Sequence, residues 1–191
     1  MRQQTQIYSI QIMKKLLSPL FFFIVFGAFA QKVIKSEKVT DHSIHVIGND
    51  FEGILFNENY IHNPADSAER KIRRFTPSNE EIVLTEDILR SERKNIKNKG
   101  DKKYIFDNLK DYWRQYIGYF NDKGEKCIYV NCFPVKEEWA IQKAKKDNKT
   151  LNLPSWYDSL FWVFDGGRAF WQAHVNLNKK MVVSMSINPN A

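Results

Sequence analysis

Apolar positions follow three different rhythms along this chain. Early on, a nearly continuous apolar run extends from Leu16 to Phe29. Further along, Ile82, Leu89 and Ile96 recur every seven residues, and Val83, Leu84 and Ile88 widen the stripe, a helical period. Thr76-Pro77-Ser78-Asn79-Glu80-Glu81 precedes it, and Ser78 with Glu81 forms a capping box, so a helix is expected from about 79 to 94. Ile105, Leu109 and Tyr112 or Trp113 predict a second, shorter helix. From Trp113 the period drops to two. Tyr116–Phe120 and Cys127–Phe133 flank Asn121-Asp-Lys-Gly-Glu125 and predict a hairpin, closed by Pro134.

Beyond that hairpin, Lys136–Asn148 is basic and moderately amphipathic, a helical pattern with Trp139 and Ala140 turned inward. Leu160–Phe164 is wholly apolar and predicts a core strand carrying Trp162, joined through the glycine turn Asp165-Gly-Gly-Arg168 to a strand over Ala169–Leu177. There Trp171, Ala173, Val175 and Leu177 alternate with Phe170, Gln172, His174 and Asn176. Met181, Val183, Met185 and Ile187 should share a face of the last strand. Ser43–Ile47 and Gly53–Phe56 predict two short strands within residues 31–75, a section expected at the sheet edge or loosely attached, with a loop at Asn63-Pro64-Ala65-Asp66. The resulting expectation is an α+β domain over residues 76–191. One principal helix packs on a mainly antiparallel sheet of about four strands.

The first apolar run has a different meaning. Met13-Lys14-Lys15 supplies a cationic start and Ala28-Phe29-Ala30 a small-residue exit, the parts of a signal peptide over residues 1–30. Met13 is the better start for it. Fourteen residues at about 1.5 Å each span about 21 Å, short of the ~30 Å hydrocarbon core. Cleavage near Ala30-Gln31 is therefore expected, with a periplasmic or secreted location and no stable membrane anchor. Removing the segment also takes away three of the 29 basic residues and no acid, so the net charge of +7 falls to +4. Nucleic acid is not an expected partner; an unknown protein or an envelope glycan is.

Two cysteines, Cys127 and Cys132, lie on one predicted strand. Five steps along it separate their backbones by about 16 Å and put them on opposite faces, whereas a bridge needs Cα atoms within about 7 Å. They are expected as small core thiols. Asp41-His42-Ser43-Ile44-His45 resembles a metal fragment, but residues three apart on a strand point to opposite faces, and no metal or cofactor site is expected. No G-x-S-x-G elbow narrows the choice of a nucleophile, so no catalytic residue is assigned. Basic residues gather at Arg70–Arg74 and between Arg90 and Lys103, where a solvated helix end complementing the macrodipole accounts for them. Trp139 and Trp156 lie outside strands and, with Tyr157 and His174, are the ligand-contact candidates.

The run Arg114-Gln-Tyr-Ile-Gly-Tyr-Phe120, the stretch Lys123–Phe133, Asp165-Gly-Gly and the closing Val175-Asn-Leu-Asn with Ile187-Asn188 together resemble a group of short exported bacterial proteins without assigned function. The resemblance covers about residues 76–191 and brings no catalytic residues. The helix-then-strands order is also similar to cystatin-like folds, which host inhibitors, binding modules and enzymes alike. The leading expectation is an exported, noncatalytic binding or interaction domain. The alternatives are a small cell-envelope hydrolase using His174 or Asp165, and an inhibitor of exported proteases.

Overall fold

A computed structural model describes residues 32–62, 71–96, 100–134 and 155–190. The expected signal peptide, the Asn63–Asp66 loop and the helical Lys136–Asn148 stretch with Trp139 lie outside the described residues. Eight strands form a single sheet: β1 (Val33–Lys38), β2 (Ser43–Gly48), β3 (Glu52–Phe56), β4 (Arg74–Phe75), β5 (Trp113–Phe120), β6 (Lys126–Phe133), β7 (Trp171–Asn176) and β8 (Met181–Ile187). Their order is β1-β2-β3-β5-β6-β7-β8, with β4 paired to β5 beyond the end of β3. The helices are α1 (Asn79–Glu92) and α2 (Asp101–Asp107).

The expected arrangement, one principal helix on a sheet of about four strands in cystatin-like order, is overturned. The class remains α+β with mainly antiparallel pairing, but the sheet has eight strands and is mixed. Strand β3 runs parallel to β5, from Glu52 opposite Trp113 to Phe56 opposite Ile117. Parallel neighbours require a crossover connection, and α1 and α2 lie in the chain between them. The described parts of residues 31–75 thus belong to the sheet: β2 and β3 are interior, and β1 is its edge strand. Gly53 permits this junction, since a Cβ there would come within 2.2 Å of the Arg114 carbonyl oxygen.

Helix α1 begins as the capping box requires. The Ser78 hydroxyl accepts from the Glu81 amide at 3.3 Å, and Glu81 Oε2 accepts from the Ser78 amide at 2.9 Å. Its buried stripe of Ile82, Ile88 and Leu89 packs with Ile105 and Phe106 of α2 over Val46, Leu55, Tyr116, Ile128, Val130, Trp171 and Val175 of the sheet. Within this apolar layer sits a buried ion pair. Arg114 Nε lies 2.9 Å from Glu86 Oε1, out of hydrogen-bond alignment, and the Tyr116 hydroxyl donates to the same oxygen at 2.9 Å. Burial, with the Glu86 charge second, pushes the Tyr116 hydroxyl well above its ordinary pKa, so it stays a donor. Cys132 is buried in this layer, and Cys127 is buried across from Tyr119 and Asn176 on the other side of the sheet; both are unbridged thiols.

Three further expectations fail. Leu160–Phe164 forms no strand, and the Asp165–Arg168 glycine turn leads into a 3-10 turn at Gly167–Ala169 rather than a hairpin, although Gly166 and Gly167 do take positive φ of 90° and 56°. On β8 a bulge opposite His174/Val175 breaks the alternation. Val182, Met185 and Ile187 pack on the core while Val183 is 57% exposed.

Candidate functional site

The sheet face away from the helices carries a row of side-chain amides running across the strands. Gln115 of β5 pairs with Asn131 of β6, Asn131 with Gln172 of β7, and Gln172 with Ser186 of β8. All three amides are buried. Asn131 Nδ2 donates to Gln115 Oε1 at 3.0 Å, and the Ser186 hydroxyl donates to Gln172 Oε1 at 3.0 Å. Gln172 Nε2 reaches Asn131 Oδ1 at 3.5 Å and Asn188 Oδ1 at 3.3 Å.

The outward capacity of this ladder is spent on a strap, residues 155–165, that crosses it without regular structure beyond one 3-10 turn at Ser155–Tyr157. Gln115 Oε1 accepts the Phe161 amide at 2.8 Å, and Asn131 Nδ2 donates to the Phe161 carbonyl at 2.7 Å. Both backbone groups of one residue are therefore met by sheet side chains, as a partner strand would meet them. Gln115 Nε2 also donates to the carbonyls of Trp156 and Ser159, each at 2.8 Å. The Tyr60 hydroxyl takes the Leu160 amide at 2.7 Å, and Asn188 Nδ2 bonds the carbonyls of Val163 and Asp165. Three of the four histidines hold the strap too. His42 Nε2 is 2.9 Å from the Asp158 carbonyl and 3.0 Å from its carboxylate, His45 meets the edge of the Tyr157 ring, and His62 Nε2 accepts Trp162 Nε1 at 2.8 Å.

Beneath the strap lie Ile54, Phe56, Trp113, Ile117 and Phe133, sealed by Tyr60 and Leu160. Trp156 and Tyr157 face this layer. Trp156 packs against Phe133 and Phe161 with centroids 6.4 and 6.1 Å apart, and Tyr157 against Trp113 at 5.6 Å. Both rings are half-buried in packing contacts. On the outer side of the strap, Trp162 is 48% and Phe164 88% exposed, although an apolar core strand is expected there. Trp162, expected in the core, is thus corrected to a surface ring. Sequence pattern hides this because an unbroken apolar run looks the same whether a sheet or a strap carries it.

His174 is on β7, one same-face row from Gln172 of the ladder, and four residues along β6 separate its partner Tyr129 from Phe133, the ring that Trp156 packs on, about 13 Å at strand rise. It does not meet Trp156 or Tyr157. Its Nδ1 shares a hydrogen bond of 2.7 Å with the Tyr119 hydroxyl, and Tyr129 leans on its ring at 5.1 Å. Burial lowers the His174 pKa and raises those of Tyr119 and Tyr129, so the histidine and both phenols stay neutral in this pocket. Among the described residues no carboxylate bonds His174, so a hydroxyl is present and an acid is not. No group of three or more metal-ligating side chains occurs among the described residues, and no described helix is long and apolar enough to cross a membrane.

Compared with protein-family models, with curated proteins and with solved structures, the chain finds no match.

Proposed function

We propose that the protein is an exported, noncatalytic binding domain whose ligand, an envelope glycan, stacks on the Trp162–Phe164 surface of the strap. The leader-like first 30 residues support the export. The observation that carries the binding reading is the pairing of exposed rings with a fixed backbone. Two large aromatic side chains stand in solvent on a segment pegged at Leu160, Phe161, Val163 and Asp165, and the Trp162 indole is itself held by His62. Apolar rings left in water cost free energy that a ligand's apolar face recovers, and a pre-ordered segment spends little entropy on binding.

Cosedimentation with insoluble cell-wall glycan tests the reading. The unmodified protein is expected in the pellet, and Trp162→Ala with Phe164→Ala is expected to weaken retention tenfold or more, about 1.4 kcal/mol. Unchanged melting of that variant keeps the result about binding. Equal retention of both proteins, or none of either, would sink the glycan reading; retention of a protein partner that depends on the same two rings would replace it.

A further inference from the structure

On the opposite side of the sheet, a cleft of about 540 Å³ opens where the end of α1 meets the turn between α2 and β5. Three stretches of chain that are remote in sequence build it. Arg90, Arg93 and Lys94 come from the end of α1, Asp107 and Lys110 from the end of α2 and the turn after it, and Asp50 from the β2–β3 turn. Phe106 and Leu109 supply apolar wall. We infer that this cleft binds a phosphate monoester carried on an apolar body.

Charge pairing decides which cations remain for a ligand. Arg90 is gripped by Asp50 through both terminal nitrogens, one contact at 2.6 Å, and also lies 4.0 Å from the buried Glu86. Arg93 Nε is 2.5 Å from Asp107, which Lys103 shares at 2.5 Å. Both carboxylates of the cleft are thus committed to the two arginines. Lys94 and Lys110 have no acidic partner among the described residues, and both are exposed. The two unspent charges match a dianion. A solvated helix end accounts for Arg90, Arg93 and Lys94 as complements of the α1 macrodipole. It does not account for Lys110, delivered to the same cleft by another element, nor for the apolar wall between the charges.

The chemistry separates a monoester from simpler anions. Its second ionisation lies near pH 6, so the fully charged form, and with it the binding, grows as pH rises from about 5 to 7. Salt weakens the contact, since both lysines are open to solvent.

Calorimetric titration of the purified protein tests this with phenyl phosphate, inorganic phosphate and phenol as probes. Phenyl phosphate is expected to bind at least tenfold tighter than either of the others, and to weaken at least fivefold on Lys94→Gln or Lys110→Gln. Lys123→Gln, in the β5–β6 turn, should leave it unchanged. Vesicles of phosphatidic acid against phosphatidylcholine distinguish the source: retention on the former alone, lost in the Lys94/Lys110 double variant, identifies a lipid headgroup, and its absence with phenyl phosphate still bound identifies a soluble ester. Overturning results are equal affinity for phenyl and inorganic phosphate, indifference to both lysine substitutions, or no binding by any probe. Each would leave the cleft as a solvated helix end.

Discussion

On the helix side of the sheet the cover is made by side chains: Ile82 and Leu89 of α1 and Ile105 of α2 meet Val46, Tyr116 and Val130 in an apolar layer, and the helices bond their own backbones. On the strap side the cover is a segment with almost no backbone bonding of its own, so Gln115 and Asn131 must supply the donors and acceptors that a helix or strand would supply internally. Each face also buries polar groups, but for different ends. Glu86 answers side chains, the Arg114 guanidinium and the Tyr116 hydroxyl, whereas the ladder answers main chain that cannot be substituted. A buried polar group that serves a side chain is replaceable; one that serves a backbone is not.

The largest effect should come from splitting the ion pair. Arg114→Leu leaves Glu86 buried without its partner, a loss of about 3–5 kcal/mol, against a typical total of about 5–15 kcal/mol. Chemical denaturation should show a strongly lowered midpoint. The double variant Glu86→Leu with Arg114→Leu should regain much of that loss, because an apolar pair of similar volume often substitutes for a buried ion pair. Arg114 also donates to the carbonyls of Leu109, at 2.8 Å, and Tyr112, so the recovery is expected to be incomplete. A double variant no better than the single one would mean that the pair, like the ladder, exists mainly for its backbone contacts.

Gln115→Leu comes next, at about 2–3 kcal/mol, since it strips partners from the Phe161 amide and from the Trp156 and Ser159 carbonyls together. Here the apolar double variant, Gln115→Leu with Asn131→Leu, should be worse than the single one, because the Phe161 carbonyl then loses its donor as well. Hydrogen exchange gives the sharper reading. The Leu160 and Phe161 amides should lose protection in the Gln115 variant while amides between β5 and β6 keep theirs. Recovery of stability in the double variant would erase the distinction between the faces.

That distinction also explains what the sequence could convey. The capping box at Ser78–Glu81, the stripe of Ile82 and Leu89, the hairpin around Gly124 and the inward set Trp171, Ala173 and Val175 are all local signals, and the structure follows them. Pairing of β3 with β5 is not local: Phe56 meets Ile117 across a crossover that leaves no periodic trace in either strand. The strap is harder still. Leu160-Phe-Trp-Val-Phe164 has the composition of a core strand, and Gln115 and Asn131, whose same-face neighbours on β5 and β6 are apolar or aromatic, hint that something other than a hydrophobic layer covers that face. Of the ligand-contact candidates, Trp156 and Tyr157 do lie together on the strap, but the rings left in solvent are Trp162 and Phe164.

The smallest effect concerns His174, on the strap-side face in the rows beyond the ladder, where burial lowers the imidazole pKa. Its ordinary value in an unfolded chain is about 6.5. Below that pH the unfolded chain takes up a proton that the folded protein resists, so the contribution is fully present above about 6.5 and is lost as pH falls towards the lowered folded value. Solvent reaching this half-buried ring should hold the change to about 1 °C in melting temperature between pH 7 and pH 5. His174→Gln retains a hydrogen-bonding group for the Tyr119 hydroxyl while removing the titration, so its melting curve should vary less over this range. An unaltered pH profile would show that the buried imidazole is not what makes this face sensitive to acid.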